Sequence, residues 1–258
     1  MAPGIQSETF PISQSIYRTC LIKHDRRKRP TRGTNTIHII LLSTYLQTKL
    51  HNLDDGSLSF YSKTRESEGS FQYGNYYREA DDLHAVIQHF SGESRVVSAI
   101  LGHSKGGNVV LLYASKYQDL RIVVNVSGRY DLKRGIAERL GEDFIEIIKK
   151  DGHIDVKNKT GGIEYRVTEE ALMDRLRTDM HEACLKIDKE CRVLTVHGSA
   201  DEIISVEDAL EFAKVIPNHQ LHIIEGANHG YTSHQTELAS TVVKFIASAL
   251  EQDKDSSK

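Results

Sequence analysis

The sequence predicts an α/β fold in which a mostly parallel sheet carries helices on both faces and an insertion separates two of its strands. Three observations lead there. Short, mostly apolar runs at Val96–Leu101, Ile122–Val126, Arg192–Val196 and Gln220–Ile224 alternate with segments whose apolar residues recur at helical spacing. The runs are rich in β-branched residues and nearly continuous, as strands buried on both faces require. The rhythm stops between Ser127 and Asp188 and then resumes.

Residues 1–65 form an atypical, partly irregular N-terminal region with weak periodicity and many turn formers. Within it "TIHIILLSTYL", Thr36 to Leu46, reads as a strand or a strand running into a helix, and Leu58 to Tyr61 as a short strand. The regular α/β core begins with residues 66–127. A helix over Tyr76 to Phe90 places Ala80, Leu83, Val86, Ile87 and Phe90 on one face. Strand Val96–Leu101, helix Asn108–Tyr117 and strand Ile122–Val126 follow. Residues 128–188 read as a charged helix (Leu132 to Lys150), a hairpin around "NKTGGIEYRV" and a second helix (Glu169 to Ile187). Loops at the C-terminal ends of parallel strands hold ligands, so this insertion reads as a cap or lid. Core resumes over residues 189–250 with strand Arg192–Val196, helix Val206–Val215, strand Gln220–Ile224 and a closing helix, Gln235–Leu250. Residues 251–258 are a polar tail.

Composition narrows the function classes. A chain of 258 residues, 39% apolar and 27% charged, is long enough to bury a substantial core. Its net charge of −3 provides no field to recruit nucleic acid or an anionic membrane. Cys20, Cys184 and Cys191 are too few and too scattered for a disulfide framework or a zinc site, and read as reduced intracellular thiols. The first residues lack the apolar core of a signal peptide, and no segment is long enough to span a bilayer. The expectation is a cytoplasmic protein without stable membrane insertion. Arg26 to Arg32, "RRKRPTR", has the composition of a nuclear import signal, but such clusters are common and it reads as a solvated loop. No metal-ligand spacing is present, and no cofactor is expected.

The chemistry centres on "AILGHSKGGNVVLLY", Ala99 to Tyr113. An apolar strand stops at Gly-His-Ser-Lys-Gly-Gly and an apolar helix begins at once. Ser104 lies between Gly102 and Gly106, where a side chain on either flank would clash with adjoining backbone. Such a turn exposes the serine hydroxyl above the sheet and sets the amide of Lys105 at a helix N-terminus, which is the arrangement of a nucleophile elbow. A serine nucleophile needs a base to take its proton and an acid to fix the base. In "RVLTVHGSADEII" Asp201 falls just past a strand end, and in "LHIIEGANHGY" His229 falls in the same relative place. The order Ser104, Asp201, His229 is the order of this architecture. Asp131, also after a strand, is a rival acid; Asp208 sits inside a helix and reads as solvated. His234, near a helix start, is the second choice of base, whereas His103, His197 and His222 lie in strand or elbow contexts that point elsewhere. Cys184 and Cys191 have no elbow.

"GHSKGG", "HGSADEII" and "EGANH" together resemble the α/β-hydrolase superfamily, from about Glu66 to Leu250. The resemblance is strongest to the group of serine aminopeptidase-like hydrolases, monoglyceride lipases and cinnamoyl or feruloyl esterases, especially its plant members. It implies Ser104 as nucleophile, Asp201 as acid, His229 as base and the Lys105 amide as one oxyanion donor. The implied activity is serine-dependent hydrolysis of a small-molecule carboxylic ester of small acyl, monoacylglycerol or cinnamoyl type, without a cofactor or metal. Members of the group carry a His-Gly-x motif that supplies a second oxyanion donor. Here the candidate strand ends in Ser43-Thr44-Tyr45, and Lys63 and Arg65 stand where glycines precede the serine matched by Ser67. An oxyanion donor is worth ~10²–10³ in turnover. A weakened, ligand-binding hydrolase-like protein and a serine aminopeptidase therefore stand as alternatives.

Overall fold

A computed structural model describes residues 37–42, 58–61, 72–92, 96–158 and 160–256, the first two segments as backbone. In chain order the elements are β1 (Ile37–Leu42), β2 (Leu58–Tyr61), α1 (Tyr76–Gly92), β3 (Val97–His103), α2 (Lys105–Tyr117), β4 (Ile122–Val126), α3 (Ala137–Leu140), α4 (Phe144–Asp151), β5 (His153–Lys157), β6 (Ile163–Thr168), α5 (Glu169–Arg177), α6 (Met180–Leu185), β7 (Arg192–Gly198), α7 (Val206–Val215), β8 (His219–Ile224) and α8 (Gln235–Ser256). Among the described residues six strands form one sheet in the order β2-β1-β3-β4-β7-β8, and every neighbouring pair of them is parallel. Among the described residues no helix is long and apolar enough to cross a membrane. Cys20, the Arg26–Arg32 cluster, Ser43–Tyr45, Lys63, Arg65 and Ser67 lie outside the described residues.

The two-residue period of the strands decides which helix packs where. Ile100, Val123 and Val193 point to one face and pack with Leu83, Val86, Val110, Met180 and Phe212 of α1, α2, α6 and α7. Ala99, Leu101, Val124 and Val196 point to the other and pack against Leu238, Val242 and Ile246 of α8. Each fully buried aliphatic contributes about 1.5–3 kcal/mol relative to exposure, so the face assignment of the central strands is strongly determined. The register of β3 against β1 slips between Val97 and Ala99, and this is why Val97 joins the α1 face although its parity matches Ala99. Helix α2 is buried from Gly107 to Ser115 and lies at the centre of its layer.

Three boundaries differ from the sequence reading. Strand β3 runs to His103 and α2 begins at Lys105, so the turn between them is a single residue. Gly106 and Gly107 are helical in spite of their low propensity, because the Ser104 carbonyl accepts from the Gly107 and Asn108 amides (2.9 and 3.4 Å) and starts the first turn. The helix expected over Leu132–Lys150 is two short helices separated at Gly141, whose φ of 96° leaves the helical region. The helix expected over Glu169–Ile187 is also two. Thr178 closes α5 with both its amide and its hydroxyl on the Asp174 carbonyl, and the Asp179 side chain caps α6 by accepting from the Glu182 amide. Between them β5 and β6 pair antiparallel, apart from the main sheet.

Candidate active site

Ser104 occupies the single residue between β3 and α2 with φ 58° and ψ −122°. A non-glycine residue at positive φ stores strain and persists only where its surroundings fix it. Here the Ser104 amide donates to the Val126 carbonyl at the end of β4 (2.8 Å). A Cβ on Gly102 would lie 1.9 Å from the Gly106 carbonyl oxygen, so β3 and α2 meet this closely only over glycine. The sharp turn leaves the first amides of α2, that of Lys105 foremost, at the positive end of the helix dipole beside Ser104. Strand β1 ends with Leu42 paired opposite Gly102, which brings its C-terminal end alongside the elbow.

Asp201 lies in the turn after β7, its side chain fully buried. One carboxylate oxygen accepts from the Ile203 and Ile204 amides (2.9 and 2.8 Å), and the other from His229 Nδ1 (2.8 Å). Burial pushes this carboxyl up, but the bonds from His229, Ile204 and Ile203 outweigh it and hold the group below the usual aspartate range. Asp201 therefore stays ionised and accepts only. Nδ1 of His229 donates this bond and so carries a proton, and the ring is partly exposed. The two turns are sewn together by backbone: Ser199 N donates to Ile224 O (3.0 Å) and Ala200 N to Ala227 O (3.1 Å). A Cβ on Gly198 would come within 2.2 Å of the Ala227 oxygen, so this approach also needs glycine.

The structure thus brings Asp201 to His229, and it places Ser104 at the end of β3, one strand (β4) removed from β7 along the same edge of the sheet. Among the described residues Ser104 Oγ makes no hydrogen bond to the ring; such contacts often tighten only with substrate bound. The rival acid is not brought in. Asp131 is exposed and its Oδ1 accepts from the Lys133 amide (3.0 Å) in its own turn. Asp208, expected in solvent, is buried at 1% exposure. It accepts from the Tyr130 and Asp131 amides (2.6 and 3.1 Å), so it anchors the loop after β4 to the first turn of α7. Cys184 and Cys191 are buried thiols; burial pushes both up, Cys191 to about 12, which leaves them inert. His222 and His234 are not bonded to a carboxylate among the described residues. No group of three His, Cys, Asp or Glu side chains that could hold a metal occurs among those residues either.

Two contacts escaped the sequence reading. The Lys105 ammonium turns back from the elbow and donates to Gln72 O (2.8 Å), Gly74 O (2.6 Å) and Glu79 Oε1 (2.5 Å), with both ionic side chains largely buried. Burial pushes Glu79 up, to about 7, against the pull of Lys105, and pushes the lysine down. The second contact is His103, read as pointing elsewhere, whose Nε2 lies 2.9 Å from the His229 carbonyl oxygen. Neither pairing leaves a periodicity or spacing signal, because each joins segments far apart in the chain.

Residues 58–253 match the model of the prolyl oligopeptidase family. No curated protein sequence matches the chain. Among solved structures it is similar to the ferulic-acid-bound Est1E from Butyrivibrio proteoclasticus (TM-score 0.69, 19% identity, covering 84% of this chain and 90% of that one). It is also similar to a monoacylglycerol lipase of Paleococcus ferrophilus (TM-score 0.63, 16% identity, 83% and 96% covered). A lipase-esterase related protein of Clostridium acetobutylicum aligns with a TM-score of 0.59 at 21% identity, covering 83% and 95%. These likenesses agree with the sheet order and the helices on both faces. The chain has the α/β-hydrolase fold and belongs to the prolyl oligopeptidase family.

Proposed function

We propose that the protein is a serine hydrolase that cleaves a small-molecule carboxylic ester through an acyl-enzyme. The observation that carries the reading is the 2.8 Å bond from His229 Nδ1 to a buried, doubly amide-bonded Asp201, beside a strained serine at a strand-to-helix turn. In this reading His229 Nε2 takes the Ser104 proton as Oγ attacks the acyl carbon, and Asp201 stabilises the imidazolium that results. The oxyanion of the tetrahedral intermediate accepts from the Lys105 amide at the start of α2. Collapse expels the alcohol, protonated by His229, and water repeats the sequence to release the acid. Every proton is moved by a protein side chain, and no nucleic acid or membrane partner is needed. Residues 128–188 would form the cap over the acyl or alcohol group, with their own small core of Ile136, Leu140, Ile148, Val167 and Leu172 packed on Tyr73. The esterase and lipase named among the structural neighbours support an ester of cinnamoyl or monoacylglycerol type.

The family's name favours a second reading, an aminopeptidase or other peptidase using the same three side chains. A third is a weakened binding protein that keeps the serine but lacks a second oxyanion donor. One experiment separates them: labelling with a fluorescent phosphonate, with turnover of p-nitrophenyl acetate and of aminoacyl anilides, for the natural chain and Ser104→Ala. The proposal expects labelling and ester turnover, both lost in the variant. Labelling without turnover supports the binding protein, anilide turnover above ester turnover supports the peptidase, and a variant that still labels at one site rules out Ser104.

A further inference from the structure

We infer that His103 is a positioning residue, which holds the loop bearing His229 against the nucleophile elbow through a side-chain bond to the His229 backbone. The inference rests on the serine-hydrolase reading above and extends it to a residue outside the three side chains proposed to carry the chemistry.

His103 is the last residue of β3 and Ser104 follows it directly. Its Nε2 reaches the carbonyl oxygen of His229 at 2.9 Å, across 126 positions of sequence. A carbonyl only accepts, so Nε2 must carry a proton. Burial, and next to it the nearby His229, push the His103 ring down to about 4, so near neutral pH it is the uncharged Nε2–H tautomer. The two rings lie 4.9 Å apart, tilted by 40°. The contact therefore supplies a hydrogen bond and a ring wall without placing a second positive charge beside the imidazolium that forms on His229.

The opposite side of the same loop is also tied down. Tyr231, two residues after His229, has φ 52°, a conformation that costs a bulky side chain appreciable strain. Its hydroxyl pairs with Ser127 Oγ (2.8 Å) and lies 3.3 Å from the Val196 carbonyl, and Ser127 itself has φ 49°. The Tyr231 ring meets His103 edge-on at 6.1 Å. The loop is thus fixed to β4 and β7 by Tyr231 and to the elbow by His103. Asp201 orients the His229 ring within that loop, but the distance from the ring to Ser104 depends on where the loop backbone sits relative to β3. That is the quantity the His103 bond sets.

The test uses the full chain with His103→Phe, which keeps the ring and removes the donor. His103→Gln keeps an N–H near the Nε2 position, and His103→Asn places its amide short of it. Steady-state turnover of p-nitrophenyl acetate, the phosphonate labelling rate and thermal melting are measured on each. A displacement of about 1 Å can cost ~10²-fold in rate. We expect kcat to fall roughly 10- to 100-fold for Phe and Asn with KM nearly unchanged, and Gln to recover most of it. The downfield proton resonance between His229 Nδ1 and Asp201 should broaden in the Phe and Asn variants and sharpen again in Gln. Retention of full kcat by Phe overturns the inference. So do equal losses in Asn and Gln that follow melting temperature, since these mark packing alone. If Phe fails to fold, the Asn and Gln pair decides. Should the natural chain neither label nor turn over ester, the serine-hydrolase reading fails. The proton resonance, compared with and without the His103 donor, still reports on the contact.

Discussion

The turns bearing Asp201 and His229 are joined to each other by main chain, whereas the residues on either side of Ser104 reach distant segments through their side chains. On the first side Gly198 lets the turns after β7 and β8 touch, two interstrand amides stitch them, and two more amides seat the Asp201 carboxylate. On the second, a strained serine is flanked by two tethers: His103 reaches the His229 loop, and Lys105 reaches α1 and the segment before it. Backbone stitching survives most substitutions that spare the close contacts. A tether made of one side chain does not. Mutational sensitivity should therefore be concentrated at Gly198 and one carboxylate on the Asp201 side, and at Gly102 and two ordinary-looking side chains on the Ser104 side.

The largest expected effect is on the proposed acid. Asp201→Asn should keep the fold but misassign the His229 proton, lowering ester turnover by roughly 10⁴, while Asp131→Asn changes it little because that carboxylate serves only its own turn. The reverse ranking, read from initial rates, would move the acid to the β4 loop. Next is the buried ion pair. Above pH 7, where Glu79 is ionised, Glu79→Gln leaves the Lys105 cation buried without that counter-charge and should cost about 3–5 kcal/mol of stability, measured by urea unfolding. Adding Lys105→Met should restore part of that loss; if the single substitution is neutral, the tether contributes nothing.

A smaller change is expected at Gly198. An alanine there drives a methyl to 2.2 Å from the Ala227 oxygen and must part the two turns. Turnover should fall by about 10²-fold, as for other ångström-scale misplacements, and Asp201→Asn should then cost less than it does alone. The gentlest probe is pH. His103 is held at about 4, below its ordinary 6.5, so the unfolded chain takes up that proton first. Its contribution to stability is complete above pH 6.5 and declines as pH falls from there toward 4. Melting temperature should drop across that window, and the drop should be shallower in His103→Gln.

The same contrast explains what was legible in the sequence. Strands and flanking helices could be read because burial on two faces imposes periods of two and 3.6, and Ile122–Val126 and Val206–Val215 coincide with β4 and α7 residue for residue. The positions of Ser104, Asp201 and His229 could be read because each follows a strand in the same parallel sheet. The helices inside the insertion were read as too long because caps at Gly141 and Thr178–Asp179, not periodicity, end them. Asp208 was misread because its helix turn faces the loop after β4 and not solvent. His103 and Lys105 were invisible as tethers because their partners are 126 and 26 positions away and carry no pattern of their own.

The most direct measurement of the central claim is to map a phosphonate adduct by peptide mass after brief exposure of the natural chain and of Asp201→Asn. The account predicts one adduct, on Ser104, formed rapidly in the natural chain and orders of magnitude more slowly in the variant. An adduct on another residue, or equal labelling rates in the two proteins, would contradict it.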